Sequence, residues 1–193
     1  MNISNKLTIS RIFLTFIMMV CLFLKGFTFK VLALIVFILA AASDYLDGYL
    51  AKKRNEITNF GKFMDPIADK ILTIAAFLVF VEMKLIPAWI VVIIIFRELL
   101  ISGLRLTALS KGEVIAAEAG GKHKTVSQIV SIFTILVFII IKEAGTRIFT
   151  FWNPNFEYWY KQAIFFLMII TAILTVVSGA SFIIRNKKHF LNG

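Results

Sequence analysis

The sequence is poor in several residue types, and each shortage excludes a class of protein or of site. The 193-residue chain has three prolines, two histidines and one cysteine, and its 11 acidic residues are outnumbered by 21 lysines and arginines. Cys21 lies alone in an apolar segment, so it predicts neither a disulfide nor a metal site. The net charge of +10 does not predict a nucleic-acid partner, because the cations lie between apolar segments and no basic face with interleaved aromatics appears.

Hydrophobic residues are abundant instead, at 60% of the chain with a mean hydropathy of +0.89. This composition is too apolar for a soluble domain with one core, and it predicts an all-α integral membrane protein with a single domain over residues 1–193. Six apolar segments are long enough, with their flanks, to cross a bilayer core, which needs about 20 helical residues. The six predicted transmembrane helices cover residues 7–24, 29–47, 65–81, 87–109, 125–141 and 162–184.

The distribution of cations orients these segments in the membrane. Fifteen of the 21 lysines and arginines fall on one predicted side, namely Lys6, Arg11, Lys52, Lys53, Arg54, Lys62, Lys70, Arg97, Arg105, Lys111, Lys122, Lys124, Arg185, Lys187 and Lys188. By the positive-inside rule, both termini and the polar stretch after the second segment face the cytoplasm of a multi-pass cell-membrane protein. Residues 142–161 fall on the outer side and are rich in aromatics, which predicts an interfacial belt or a short re-entrant loop.

The stretch from residue 44 to residue 69 carries the most unusual chemistry. Asp44 and Asp47 end the second segment, and Asp65 and Asp69 begin the third, so each pair shares one helical face. Two facing carboxylate pairs would make an oxygen-rich site for hard divalent cations such as Mg²⁺ or Mn²⁺. No histidine or cysteine belongs to the group, which argues against zinc.

Small residues accompany these carboxylates. Gly48, Ala51 and Gly61 lie on the same predicted faces. A glycine inside a helix costs up to about 1 kcal/mol relative to alanine, so two glycines beside acids suggest that a ligand approaches the backbone closely. Close packing between membrane helices is the alternative, and the residues alone leave both explanations open. Pro66 fits the first turn of a helix that begins at Asp65.

The order Asp44-x2-Asp47-Gly48-x2-Ala51-Lys52-x8-Gly61-x3-Asp65-x3-Asp69 resembles the signature of the CDP-alcohol phosphotransferases, integral membrane enzymes of phospholipid synthesis. Seven of the eight fixed positions fit the family's pattern. The exception is Lys52, where the family usually has arginine. Lysine keeps the charge but loses the planar fork that binds phosphate at two points, so Lys53 or Arg54 is a candidate to share the contact.

The resemblance implies a role for each matching position. The four aspartates would hold two divalent metal ions, Mg²⁺ or Mn²⁺, and Asp69 would also act as the base that deprotonates an acceptor hydroxyl. Gly48, Ala51 and Gly61 would make room for the cytidine nucleotide, and Lys52 would contact its phosphates. The resemblance also implies a homodimer that leaves the tails of its lipid substrate among the membrane lipids.

A polar element near the N-terminus belongs to the same resemblance. Asn5, Thr8 and Arg11 have the N-x2-T-x2-R spacing of an element whose side chains reach the nucleotide in related enzymes. A helix start followed by an arginine that snorkels to the interface is the alternative explanation.

The acceptor is suggested by the fourth and fifth segments. F-R-E-L-L-I-S-G-L-R and A-G-G-K-H-K-T-V-S-Q are similar to the bacterial branch of the family that makes phosphatidylglycerol phosphate from glycerol 3-phosphate. The acceptor's phosphate needs cations, and the candidates are Arg97, Arg105, Lys122 and Lys124, with Arg185 a weaker one. A purely structural ion pair around Glu98 is the alternative use of these charges. His123, between two lysines, is expected to be a surface residue.

The resemblance therefore implies an enzyme that transfers the phosphatidyl group of CDP-diacylglycerol to glycerol 3-phosphate and releases CMP, in a polar cavity at the cytoplasmic side. Phosphatidylglycerol, serine and inositol phosphate are the alternative acceptors. A cation transporter and a prenyltransferase with aspartate-rich metal sites are the alternatives from other classes. The acids lie at a membrane edge without a repeated half, which argues against a transporter, and a prenyltransferase motif would lack the glycines.

Overall fold

The computed structural model has six α-helices in the part of the chain that it describes. It describes the backbone of residues 3–54, 59–110, 120–145 and 152–191, and the side chains of residues 9–43, 70–108, 123–145 and 152–186. The described backbone contains no strand, which confirms the predicted all-helical chain. The helices are α1 (Ile3–Phe23), α2 (Phe27–Arg54), α3 (Asn59–Glu82), α4 (Ala88–Ser110), α5 (Gly120–Ala144) and α6 (Pro154–Leu191).

Most of the helices are longer than the apolar segments that predicted them. A helix satisfies its own backbone hydrogen bonds, so it continues through polar residues that a search for apolar runs leaves out. Two of these extensions are at site-bearing ends: α2 ends at Arg54 and not at Asp47, and α3 begins at Asn59 and not at Asp65. The placement of Pro66 in a first helical turn is therefore wrong, because this residue lies inside α3. A proline there removes one backbone donor, a loss that membrane helices tolerate.

The outer connection also differs from one of its predicted forms. Residues 154–161 are the first two turns of α6, so a re-entrant loop is wrong for this part of the segment. Asn153 caps the helix, since its Oδ1 accepts a hydrogen bond from the backbone N–H of Phe156 at 2.8 Å. Tyr158 and Trp159 are exposed on these turns, as an interfacial belt requires.

Apolar side chains fill the interior and also cover the outside. α1 packs on α2 and α3, α6 packs on α4 and α5, and α2 and α3 both contact α5. Phe77, Phe80 and Phe138 are fully buried in this core, and Cys21 is a buried free thiol. In the described residues, two stretches are long and apolar enough to cross a membrane, His123–Ala144 and Pro154–Asn186, and Ile9–Phe23 and Phe27–Ser43 are shorter apolar ones.

A buried lysine closes the tight turn between α1 and α2. The Lys30 ammonium donates to the carbonyl oxygens of Leu22 and Leu24, at 2.5 and 2.7 Å. These carbonyls are at the C-terminal end of α1, where no backbone N–H of the same helix is left to pair with them. Gly26 adopts a φ of 115°, which favours glycine, and its N–H donates to Glu143 Oε1 at 2.6 Å. These contacts fasten the α1–α2 turn to the end of α5.

Candidate active site

A buried cluster of charges joins α4 to α5. Glu98 Oε1 accepts hydrogen bonds from Arg97 Nη1 at 3.3 Å, from Gln128 Nε2 at 3.2 Å and from the Lys124 ammonium. The side chains of Arg97, Glu98 and Lys124 are only 10%, 8% and 11% exposed. We call these four residues the Glu98 cluster. The structure thus brings together two of the predicted acceptor cations, from different helices, on one carboxylate oxygen.

The charges of the Glu98 cluster do not cancel. Two cations and one carboxylate leave a formal charge of +1 in a buried setting. Burying charges is costly unless hydrogen bonds satisfy them, and the second Arg97 nitrogen, Nη2, donates to Ser178 Oγ on α6 at 2.9 Å. An anion that enters here gains more from the uncompensated charge than it would at a solvated surface.

A second contact connects the cluster with the helix that carries two of the four aspartates. The Lys70 ammonium donates to Ser102 Oγ, and Ser102 Oγ donates to the backbone oxygen of Glu98 at 2.7 Å. Lys70 directly follows Asp69 in α3. The backbone at the end of the aspartate motif therefore lies next to the α4 turn that carries the cluster.

The other predicted cations have different surroundings. Arg105 is exposed, and its guanidinium carbon lies 5.2 Å from the centre of the Phe182 ring, so among the described contacts it belongs to a cation–π pair and not to the Glu98 cluster. Arg185 is exposed on α6. Arg11 is 2% exposed within the bundle, so an arginine that snorkels to the interface is wrong. His123 is exposed, as predicted.

Comparison with known sequences decides the family. The sequence model of the CDP-alcohol phosphatidyltransferases matches residues 1–185. The chain belongs to this family. It is similar to the CDP-diacylglycerol–glycerol-3-phosphate 3-phosphatidyltransferase of Bacillus subtilis, with 42% identity over 149 residues, which are 70% of this chain and 77% of that protein.

Relatives of the same name match almost the whole chain. The protein of Haemophilus influenzae is 32% identical over 198 residues, covering 99% of this chain and 96% of its own length. The protein of Salmonella choleraesuis is 31% identical over 197 residues, covering 99% and 98%. The chain is therefore a phosphatidyltransferase, and the cation-transporter and prenyltransferase hypotheses have no support.

CDP-alcohol phosphatidyltransferases use divalent metals, and the donor chemistry of this chain fits them. Asp44 and Asp47 lie in the continuous helix α2, and Asp65 and Asp69 lie in α3. All four offer carboxylate oxygens, which suit hard cations. Among the described side chains, no other group of three or more histidines, cysteines or acids competes for a metal.

Several predicted site residues stay predictions, because their side chains lie outside the described residues. They are the four aspartates, Gly48, Ala51, Lys52, Gly61, Asn5, Thr8 and Lys122. Their helical placement is described for all of them, and it agrees with the spacing from which the two carboxylate pairs were inferred.

Three residues of the site went unrecognised in the sequence: Gln128, Ser178 and Ser102. Gln128 carries a detectable signal, because it lies one helical turn after Lys124 and so shares its face. Ser178 continues a stripe of small polar residues with Thr171 and Thr175 at spacings of four and three. Nothing in the sequence singles out Ser102. The structural ion pair around Glu98, considered as an alternative, is present, and it uses the same cations that were assigned to the acceptor.

Proposed function

We propose that this phosphatidyltransferase moves the phosphatidyl group of CDP-diacylglycerol to glycerol 3-phosphate and releases CMP. The choice of acceptor rests on one observation. Arg97 and Lys124 both contact Glu98, close to the end of the aspartate motif in α3. A buried pair of cations with an incomplete counter-charge suits a phosphate-bearing acceptor. The names of the relatives support the same choice.

The proposed enzyme is one membrane domain over residues 1–193 with six spans. The spans are residues 7–24, 29–47, 65–81, 87–109, 125–141 and 162–184, and each overlaps one observed helix. The positive-inside rule then puts both termini, the aspartate motif and the Glu98 cluster at the cytoplasmic side of the cell membrane. We include a homodimer in the proposal on the strength of the family resemblance.

The nucleotide end of the site is built from the motif residues. Asp44, Asp47, Asp65 and Asp69 would hold two divalent ions, Mg²⁺ or Mn²⁺, which when bound supply positive charge for the diphosphate of CDP-diacylglycerol. Gly48, Ala51 and Gly61 leave room for the cytidine nucleotide, and Lys52 contributes charge at the phosphates. Asn5, Thr8 and the buried Arg11 orient the nucleotide from α1.

The acceptor end acts by position and by charge. Arg97 and Lys124 bind the phosphate of glycerol 3-phosphate, which takes over part of their contact with Glu98. Asp69 accepts the proton of the attacking hydroxyl. The hydroxyl oxygen forms a bond to the phosphorus that carries diacylglycerol, and the bond from that phosphorus to the CMP oxygen breaks, so CMP leaves with the electron pair. Arg105 and Lys122 complete the proposed cationic approach for the acceptor.

Serine is the acceptor that the Glu98 cluster fits least, because it brings no phosphate to two buried cations. Inositol phosphate and phosphatidylglycerol do bring one, and they differ from glycerol 3-phosphate in bulk and in hydrophobicity. A cluster that is 90% buried favours the smallest of the phosphate-bearing acceptors. Glycerol 3-phosphate is therefore the proposed substrate.

The purified protein in detergent tests the proposal directly. CDP-diacylglycerol is supplied with Mg²⁺ or Mn²⁺ and with each acceptor in turn, and the release of CMP is measured. We expect release with glycerol 3-phosphate, no release after the metal is removed by EDTA, and recovery when either ion is restored. Release with another acceptor, but not with glycerol 3-phosphate, would sink the assignment of the acceptor while leaving the family unaffected.

A further inference from the structure

Two adjacent residues of helix α6 contact the side chain of Arg97. The first is Ser178, a buried residue whose hydroxyl accepts a hydrogen bond from Arg97 Nη2 at 2.9 Å. The second is Gly179. A methyl group built on Gly179 would lie 2.9 Å from Arg97 Cγ, 3.3 Å from Nε and 3.7 Å from Cδ. The stem of Arg97 therefore crosses α6 at the one point where the helix has no side chain.

The contact at Gly179 fixes the course of Arg97. Cγ is close to the α4 backbone, so it cannot move away from an added methyl group without a change of rotamer. A rotamer change would swing the guanidinium away from both Ser178 and Glu98. Gly103 in α4 provides the contrast, because a methyl group built there meets no atom of the described residues within 4 Å.

The arrangement is not one that stability alone would favour. Arg97 Nε is buried and has no hydrogen-bond partner in the described part of the chain, since the bare backbone at Gly179 lies against it. A buried donor without a partner lowers the stability of the fold. Close packing of α4 on α6 would be served as well by two apolar residues. This loss of stability indicates that the position of the Arg97 guanidinium serves a function other than holding the fold together.

Polar residues on the same face of α6 make further hydrogen bonds along the helix. Thr171 Oγ1 lies 2.9 Å from Ser131 Oγ on α5, and Thr175 Oγ1 donates to the Thr171 backbone oxygen at 2.7 Å. Thr171, Thr175 and Ser178 share one face at helical spacing. The same face of α6 thus contacts α5, which carries Lys124, and α4, which carries Arg97.

We infer that Ser178 and Gly179 are positioning residues that set the affinity for the phosphate-bearing acceptor by fixing Arg97 from α6. The inference rests on the proposed function, in which Arg97 binds the acceptor's phosphate. Neither residue touches the substrate. Their effect is selective, because the nucleotide lies at the α2–α3 aspartates and does not depend on the rotamer of Arg97.

Steady-state kinetics with glycerol 3-phosphate and CDP-diacylglycerol varied separately test the inference. Gly179→Ala is expected to raise KM for glycerol 3-phosphate by about tenfold or more, since a misplacement of about 1 Å is enough for such losses. KM for CDP-diacylglycerol is expected to stay within about twofold. Gly103→Ala, the matched control, is expected to leave both KM values unchanged. An equal rise in both KM values, or no rise for glycerol 3-phosphate, overturns the inference.

Two further variants keep the test decisive. In an Arg97→Ala background, which has no Cγ, Gly179→Ala should have no additional effect, whereas an effect that persists would arise from contacts other than those with Arg97 and would contradict the inference. If Gly179→Ala does not fold, Ser178→Ala decides, with a several-fold rise in KM for glycerol 3-phosphate expected and no change contradicting the inference. A wild-type protein that releases no CMP with glycerol 3-phosphate refutes the proposed function. If the wild-type protein is active and Gly179→Ala leaves KM for glycerol 3-phosphate unchanged, only the inference is refuted.

Discussion

Two glutamates in this molecule each contact two cations, one pair of contacts in a buried setting and the other in an exposed one. Glu98 contacts Arg97 and Lys124, with all three side chains at most 11% exposed. Glu157, at the start of α6, contacts Lys142 and Lys161 at 2.9 and 2.8 Å, and those lysines are 47% and 46% exposed. The composition of the two groups is nearly the same. Each group lies on two helices, so burial is what distinguishes them.

The difference shows what burial does to an ion cluster. Exposed pairs such as those of Glu157 contribute about 0–1 kcal/mol, because water already solvates each partner. A buried cluster contributes little net stability either, but the removal of one member leaves the others uncompensated. The Glu98 cluster is therefore sensitive to substitution and responsive to an incoming anion, while the Glu157 group is neither.

The largest contrast is expected between a carboxylate that reacts and one that only pairs. We expect Asp69→Asn to lower turnover by at least about 100-fold, because an amide cannot accept the proton of the acceptor hydroxyl. The melting temperature should not fall. Glu157→Gln is the matched control and should keep wild-type turnover. Near-normal activity of Asp69→Asn in the CMP-release assay would refute its role as the base.

Glu98→Gln should lower the stability of the fold much more than Glu157→Gln does. It leaves Arg97 and Lys124 buried without their counter-charge, so we expect a loss of about 3 kcal/mol in the free energy of unfolding. For a chain of this size, that corresponds to a melting temperature lower by about 6–12 °C. Thermal unfolding in detergent measures the shift, with Glu157→Gln beside it. Equal shifts for the two variants would mean that burial does not distinguish the clusters.

Lys124→Met and Lys161→Met compare the two clusters by substrate binding. Loss of a hydrogen bond from a charged donor costs about 1.5–3 kcal/mol, so KM for glycerol 3-phosphate should rise about 10- to 100-fold in Lys124→Met. KM for CDP-diacylglycerol should change little. Lys161→Met, at the other cluster, should change neither constant. A similar rise in both KM values for Lys124→Met would indicate a general disturbance of the site.

The smallest effect is expected from the pH dependence of the Glu157 group, which lies before the proposed sixth span. Hydrogen bonds from Lys161 and Lys142 hold the pKa of the Glu157 carboxyl below its usual value. A lowered carboxyl pKa adds stability above the unfolded pKa of 4.5 and loses it as pH falls through the folded value. The melting temperatures of wild type and Glu157→Gln should differ by under about 4 °C at pH 7 and converge as the pH falls through the lowered pKa of Glu157. A gap that widens in acid would contradict this sign.

The sequence predicted the helices well because their apolar runs are long and continuous. Each predicted segment overlaps one observed helix, and the tight turns at Gly26 and before Pro87 fall where composition changes. The helix ends were less predictable, as α3 and α6 show, because hydrogen bonding continues through polar residues such as Asn59 and Tyr158. Two of the helices meet the criteria of length and apolar content for crossing a membrane among the described residues.

The site was predictable in its residue types and less so in its partnerships. Arg97 and Lys124 were singled out as cations, but their convergence on Glu98 depends on how α4 and α5 both pack on α3 and α6, which no local spacing encodes. Arg105 was grouped with them on the same grounds and lies over Phe182 instead. The role of Gly179 could not be read from the chain either, since it depends on the side chain of a residue 82 positions earlier.

The length of α6 also sets a depth. Trp159, exposed in the second turn of α6, and Ser178, which holds Arg97 farther along this helix, are 19 residues apart, or about 28 Å at 1.5 Å per residue. The hydrocarbon core of a bilayer is about 30 Å thick. In the proposed topology, a Trp159 ring at the outer headgroups would place Ser178, and the Arg97 guanidinium that it holds, toward the cytoplasmic side, so α6 would fix the depth of the proposed acceptor cation in the membrane. Each residue inserted between them would lengthen this distance by about 1.5 Å and rotate Ser178 by about 100° around the helix axis, away from Arg97.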